Sequence, residues 1–120
     1  MEPEPFRAEL RMEDRVAVVD LGGEMNASAG TVLRTAYEEA AAQSPARVLL
    51  EFSQVTYINS TGIALLVAIL ADARKGALEV VASGLSEHYR EIFHITRVSD
   101  FMPIYPDEAA ALSNSGAVTP

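Results

Sequence analysis

The residues best placed to do chemistry in this sequence are two neighbouring hydroxyls, Ser60 and Thr61. They stand in the segment Asn-Ser-Thr-Gly at residues 59–62, which follows a predicted strand and precedes a long apolar run, so they are expected to open a helix. The first turn of a helix has unpaired backbone N–H groups that a hydroxyl can cap. The segment is therefore either a helix cap or, if it borders an exposed binding surface, a place for a switch.

Other catalytic patterns are missing from the sequence. It contains no P-loop, no G-x-G-x-x-G segment and no G-x-S-x-G elbow. The two histidines, His88 and His94, are six residues apart on one predicted helix and do not share a face, and the chain has no cysteine. Glu24, Glu51 and Asp72 show no spacing that would bring paired carboxylates together. We therefore expect no enzymatic activity, no cofactor and no metal site.

Composition limits the classes of partner. The 120 residues include 17 acidic and 9 basic side chains, for a net charge of −8, whereas nucleic-acid binding needs a basic surface. The longest apolar run covers nine residues, 63–71, and a membrane-spanning helix needs about 20. The acidic, proline-rich start does not resemble a signal peptide. These features predict a cytoplasmic protein that neither binds nucleic acid nor inserts into a membrane.

The order of elements predicts one small α/β domain. Apolar and β-branched runs predict strands at residues 6–12, 16–21, 47–52 (continued at 55–58), 78–82 and 101–105. Helical periodicity and capping residues predict helices at residues 27–43, 60–75, 86–95 and 107–112. This alternation favours a mixed, mostly parallel sheet of four to five strands packed against about four helices, with an antiparallel hairpin first. Gly22-Gly23 is expected to end the second strand, and residues 1–5 and 113–120 are expected to be flexible ends around a domain of residues 6–112.

The second predicted helix carries more apolar side chains than one buried face requires. One assignment directs the following residues toward the core: Ile63, Leu66, Val67, Leu70 and Ala73. It leaves an exposed apolar surface beside the hydroxyls, which predicts a protein-binding site. The residues of that predicted site are Ser60, Ala64, Leu65, Ala68 and Ile69. The alternative is that a further helix or the C-terminal tail covers them.

Three segments in this order resemble the STAS domain family, and within it the anti-sigma factor antagonists, also called anti-anti-sigma factors. They are Leu-Gly-Gly-Glu-Met-Asn at residues 21–26, Leu-Glu-Phe-Ser-Gln-Val-Thr-Tyr-Ile-Asn-Ser-Thr-Gly at 50–62, and Leu-Ser at 85–86 with Ile-Phe-His-Ile-Thr at 92–96. The resemblance covers about residues 6–112 and implies the STAS fold. It also implies that Ser60 is a phosphoacceptor, with Thr61 as the second choice, and that the residues around the phosphosite are Asn26, Asn59, Thr61 and Gly62.

The same resemblance implies a function. In anti-sigma factor antagonists this serine is phosphorylated by a kinase that is itself the anti-sigma factor, and the unphosphorylated antagonist binds that kinase and releases the sigma factor. The implied partners are a kinase-type anti-sigma factor and a phosphatase. The sequence leaves both a monomer and a weak homodimer open for the chain itself.

Two departures from the family pattern keep alternatives open. Asn59 and Asn26 stand where the family usually has Asp, and a carboxylate there could orient the hydroxyl or hold Mg²⁺ during phosphoryl transfer. One alternative is a STAS scaffold that is never phosphorylated, as a subunit of a sensory or lipid-transport assembly. Another is a nucleotide-binding STAS domain or a small hydrolase, which would require a pocket with converging polar groups.

Overall fold

The centre of the protein is a mixed sheet of five strands, in a computed structural model that describes residues 4–113. The strands are β1 (Arg7–Glu13), β2 (Val16–Met25), β3 (Arg47–Ile58), β4 (Glu79–Ser83) and β5 (Ile104–Tyr105), and their order in the sheet is their order in the chain. β1 and β2 form an antiparallel hairpin, and every other neighbouring pair is parallel. Parallel pairs require crossover connections, which the helices between the strands provide.

Within the described residues, four α-helices accompany the sheet. They are α1 (Gly30–Ala41), α2 (Ser60–Lys75), α3 (Glu87–Ile95) and α4 (Glu108–Ser113), with short 3₁₀ turns at Ala27–Ala29 and Val98–Asp100. The predicted mixed, mostly parallel sheet with about four helices is confirmed. None of the helices in residues 4–113 has the length and hydropathy needed to cross a bilayer.

The strand side chains alternate between two apolar clusters on opposite faces of the sheet. In β2, Ala17 and Val19 face the larger cluster, which also contains side chains of α1, α2 and α3. Val16 and Val18 face a smaller cluster that includes Ala111 of α4. Because both faces are covered, the middle strands are buried on both sides, as is typical of parallel sheets.

The glycine pair that was expected to end the second strand lies inside it, so that prediction is wrong. β2 continues to Met25, and its register against β3 shifts on either side of Gly22-Gly23. Gly23 has a φ of +82°, and a Cβ there would lie 2.1 Å from the Pro5 carbonyl oxygen. Glycine therefore permits both the irregular pairing and the close approach of the N-terminal segment.

The chain is tied to the sheet before the predicted boundary at Phe6. The backbone N–H of Glu24 donates a hydrogen bond to the Glu4 carbonyl at 3.0 Å. Residues 4 and 5, which were predicted to belong to a flexible end, are exposed, and this hydrogen bond links Glu4 to β2. Residues 1–3 and 114–120, which make up most of the two predicted flexible ends, lie outside the described residues.

Two other predicted boundaries change. β3 is one continuous strand of 12 residues, although two polar residues, Ser53 and Gln54, interrupt its apolar pattern. The last strand contains two residues only, because Phe101 closes the preceding 3₁₀ turn, where its N–H donates to the Val98 carbonyl at 3.0 Å. This correction leaves Phe101 on the surface, 54% exposed, beside α2.

Candidate functional site

The pairing of two parallel strands brings two asparagines to one edge of the sheet. β2 and β3 are parallel, and their last residues, Met25 and Ile58, are paired. Asn26 and Asn59 follow immediately, and the Asn59 N–H donates to the Met25 carbonyl at 3.2 Å. The carboxyl ends of two adjacent parallel strands, where α/β proteins commonly place their sites, therefore carry the predicted phosphosite segment.

Both asparagine side chains cap helical turns. The Asn59 Oδ1 accepts a hydrogen bond from the Gly62 N–H at 2.9 Å and so caps α2. The Asn26 Oδ1 accepts from the Ser28 N–H at 3.0 Å and from the Ser28 hydroxyl at 2.6 Å, which caps the 3₁₀ turn before α1. The amide oxygen of each asparagine thus caps a helical turn, as a carboxylate oxygen would.

Ser60 and Thr61 are exposed in the first turn of α2. Because the side-chain cap of this helix comes from Asn59, neither hydroxyl is needed for capping. The segment therefore caps α2 through Asn59, and it leaves the two hydroxyls accessible to another protein. The backbone N–H groups of the same turn give a positive environment for a negative group on Ser60.

Gly62 fixes the position of this turn against β2. It is buried, and a Cβ at this position would lie 2.2 Å from the Met25 carbonyl oxygen. No side chain larger than hydrogen fits at that distance, so the first turn of α2 packs directly on the strand end. The position of Ser60 relative to the sheet is therefore set by the contact between the Gly62 backbone and the Met25 carbonyl.

The face of α2 that the structure buries differs from the predicted one. Its buried residues are Gly62, Leu66, Ile69, Leu70 and Ala73. Ile69, predicted to be an exposed partner-binding residue, is 2% exposed, and Val67, predicted to lie in the core, is 49% exposed. Leu65 is partly buried beside Gly30 of α1. Three residues of the predicted binding surface, Ser60, Ala64 and Ala68, are exposed. The predicted exposure of Ile69 and the predicted burial of Val67 are both wrong.

The exposed face of α2 is a narrow strip of small residues. It starts at Ser60 and continues along one side of the helix, since its members are spaced three and four residues apart. We call it the α2 strip, and its members are Ser60, Ala64, Val67, Ala68 and Ala71. Alanine side chains leave the helix backbone open to close approach, so the strip suits the docking of another helix or loop.

The α2 strip ends in an apolar groove that the sequence did not reveal. The groove has a volume of about 300 Å³ and lies between α2 and the turn at residues 96–101. Val67 and Ala71 line one side and Phe101 the other. The Arg74 guanidinium lies 5.3 Å from the centre of the Phe101 ring, a distance typical of a cation–π contact. Phe101 could have indicated the groove from the sequence, but it was predicted to lie in a strand.

Comparison with known proteins identifies the family. The family model described as "Mlab, STAS domain" matches residues 8–104. This chain belongs to the STAS domain family. Both the resemblance found in the three sequence segments and the STAS fold that it implied are confirmed.

This STAS domain is similar to proteins of several bacteria. The anti-sigma-B factor antagonist of Listeria monocytogenes is 27% identical over 84 residues, which cover 70% of this chain and 74% of that protein. The crystal structure of an anti-sigma factor antagonist from Mycobacterium paratuberculosis is 26% identical, with a TM-score of 0.76 over 94% of this chain and 96% of that one. Unphosphorylated SpoIIAA, at 20% identity and a TM-score of 0.67, covers 89% of this chain and 94% of its own and shares the fold.

The side chains that could suggest catalysis are engaged separately in this STAS domain. The Glu51 carboxylate accepts hydrogen bonds from the Ser53 N–H at 2.8 Å and from the Ser83 hydroxyl at 2.7 Å. Asp72 forms an ion pair with Arg34, which joins α2 to α1. Within residues 4–113, no group of three or more His, Asp or Glu side chains is arranged to hold a metal ion.

Proposed function

We propose that this STAS domain is a cytoplasmic anti-sigma factor antagonist that binds a kinase-type anti-sigma factor through the α2 strip and is switched off by phosphorylation of Ser60. The observation that carries the proposal is the position of Ser60, which is exposed, free of the capping role and continuous with the strip. The relatives from Listeria and Mycobacterium are anti-sigma factor antagonists by name, which supports a regulatory role rather than an enzymatic one.

Phosphorylation at Ser60 would act on the interface and not on the fold. A phosphate adds about 1.5 to 2 negative charges at neutral pH. The N-terminus of α2, a helix of 16 residues, favours such a charge while it remains in water. A partner that covers the α2 strip would have to remove the phosphate from water, and a buried charge without a partner is costly. The same group is therefore tolerated in the free protein and excluded from the complex.

We expect that incubating the purified protein with kinase-type anti-sigma factors of its own genome and Mg-ATP adds one phosphoryl group. The intact mass of the protein measures the gain. The Ser60→Ala variant should show no gain, because it lacks the proposed acceptor. Thr61→Ala is the matched control, since it also removes one exposed hydroxyl from the same turn, and it should be modified like the original chain. Modification that persists in Ser60→Ala and disappears in Thr61→Ala would transfer the switch to Thr61.

We expect that Val67→Glu weakens binding to the partner about tenfold, or about 1.4 kcal/mol, because it places a charge in the middle of the α2 strip. Isothermal titration calorimetry with the partner measures the effect. Val32→Glu is the matched control, since Val32 is also an exposed valine on a helix but lies on α1. Both variants should melt at the temperature of the original protein. If the two variants bound the partner with equal affinity, the α2 strip would not be part of the interface.

A second function is favoured by the amides at the site. With Asn26 and Asn59 in place of the usual acids, the site offers no carboxylate at these two positions to position the hydroxyl or to bind Mg²⁺. A scaffold that binds its partner permanently through the α2 strip would need none. The mass experiment separates the two functions, because a scaffold would form a stable complex in a pull-down without gaining a phosphoryl group.

A further inference from the structure

The outer edge of β1 is open in the described part of the chain. β1 is the first strand of the sheet and pairs on one side with β2. An open edge presents backbone N–H and C=O groups that can pair with another strand. The charged residues alternate along one face of β1 and are Arg7, Glu9, Arg11 and Glu13. The opposite face carries Ala8, Leu10 and Met12.

Charges on an edge strand usually prevent pairing between copies, but on β1 the sign of the charge alternates. An antiparallel pairing of two β1 strands centred on Leu10 places Arg7 opposite the partner's Glu13 and Glu9 opposite the partner's Arg11. Two-fold symmetry repeats both pairs, so four pairs of opposite charge face each other. Opposite charges directly across two strands stabilise the pairing.

The neighbouring registers are unfavourable. A shift of two residues in one direction places Glu9 opposite the partner's Glu9 and Arg7 opposite the partner's Arg11. A shift of two in the other direction places Arg11 opposite the partner's Arg11 and Glu9 opposite the partner's Glu13. Like charges directly opposite each other are destabilising, so the charge pattern of β1 selects the register centred on Leu10.

The second face of β1 agrees with this register. Leu10 would lie opposite the partner's Leu10, and Met12 opposite the partner's Ala8. Met12 is 41% exposed in the single chain although it is apolar, and Leu10 is partly buried. Pairing would cover both, which adds apolar burial to the ion pairs on the other face.

Three of the four charged groups are available for such pairing. The fourth, Arg11, already pairs with Glu13, Asp20 and Glu108, so the second copy's Glu9 would have to join this network or replace one of its members. Glu9 is exposed and forms no ion pair with any residue in 4–113. Arg7 and Glu13 are nearly half exposed, and their own ion pairs are to close neighbours in sequence, Glu4 and Arg11. Surface pairs of this kind contribute little and can be exchanged for pairs with a second copy.

We propose that two copies of this chain associate through β1 in the register centred on Leu10. The two β1 strands pair antiparallel, so that the two sheets form one continuous sheet. Such an interface is isologous, because the same strand contributes from both copies. With five strands from each copy, the joined sheet has ten. The α2 strip contains no residue of β1, so the outcome for this interface does not affect the function proposed for Ser60.

Charge reversal at the outer pair tests the interface. Sedimentation equilibrium over a wide concentration range should show the original chain reaching twice the mass of one 12.9 kDa chain. Arg7→Glu and Glu13→Arg should each weaken the dimer at least tenfold, because each creates two like-charge pairs. An equimolar mixture of the two variants should recover the affinity as a heterodimer, and the double variant R7E/E13R should recover it as a homodimer.

A cysteine provides a second, independent test. The chain has no cysteine, so Leu10→Cys introduces a single thiol at the proposed two-fold axis. Residues directly opposite in antiparallel strands have Cα atoms about 4.5–5.5 Å apart, which suits a disulfide. Under mild oxidation Leu10→Cys should form a cross-linked dimer much faster than Ala42→Cys, an exposed position at the end of α1. A monomer at every concentration, a dimer insensitive to the charge reversals, or equal cross-linking of the two thiols would each overturn the proposal.

Discussion

Replacing Ser60 with aspartate is expected to weaken binding to the kinase-type anti-sigma factor at least a hundredfold and to leave the melting temperature unchanged. A hundredfold loss corresponds to about 2.7 kcal/mol, and leaving one charge dehydrated and unpaired in an interface can cost more than that. In the free protein the carboxylate would stay in water at the start of α2, where the helix dipole favours it. Titration of the partner by calorimetry and a thermal melt measure the two effects.

Two variants control this experiment. Ser60→Ala should bind like the original chain, because the Ser60 hydroxyl takes no part in capping α2. Thr61→Asp introduces the same charge one residue later and about 100° around the helix, so it should weaken binding less than Ser60→Asp. If Ser60→Asp retained its affinity, the partner would have to bind elsewhere and the proposed switch would be lost.

The order of elements could be predicted from the sequence because local signals agree with the tertiary structure in most of the chain. Runs of β-branched residues are long enough to define β2, β3 and β4, and Ser86 caps α3 by accepting a hydrogen bond from the Tyr89 N–H. The error at Gly22-Gly23 has a physical reason. Glycine permits a turn and a bulge equally well, and only the pairing with β3 and the approach of Pro5 distinguish them.

The orientation of α2 could not be predicted from its sequence. Residues 63–71 are all apolar, so hydrophobic periodicity does not show which side faces the sheet. The orientation is determined by Gly62, whose lack of a side chain lets the first turn contact the end of β2. Starting the buried face at Gly62 instead of Ile63 yields the observed pattern, with Ile69 inside and Val67 outside.

The helix cap in the Asn-Ser-Thr-Gly segment was easier to predict, because its residues act locally. An asparagine before a helix is a capping residue in nearly any context, and Asn59 has this role. The groove beside Phe101 depends instead on two elements distant in sequence, α2 and the turn at Val98–Asp100. No pattern within either segment indicates that they meet.

Replacing Gly62 with alanine is expected to destabilise the protein by about 3 kcal/mol or more, which is at or beyond the upper end of the usual range for overpacked sites. The new Cβ would lie 2.2 Å from the Met25 carbonyl oxygen and 2.9 Å from its carbon, and neither backbone atom can move without shifting β2 or α2. A shift would also strain the Asn59 cap, whose donor is the Gly62 N–H. For a domain of this size the melting temperature should fall by at least about 10 °C.

Gly76→Ala is the matched control for this prediction, because it makes the same substitution at the other end of α2. Gly76 has a φ of −87°, and the nearest atoms to an added Cβ lie at 3.8 Å. There alanine should be neutral or slightly stabilising, since it restricts the unfolded chain. Equal melting temperatures for the two variants would mean that the first turn of α2 moves at little cost. Ser60 would then not be held at a fixed height above the sheet, and its role as a switch would have to depend on the partner to order the turn.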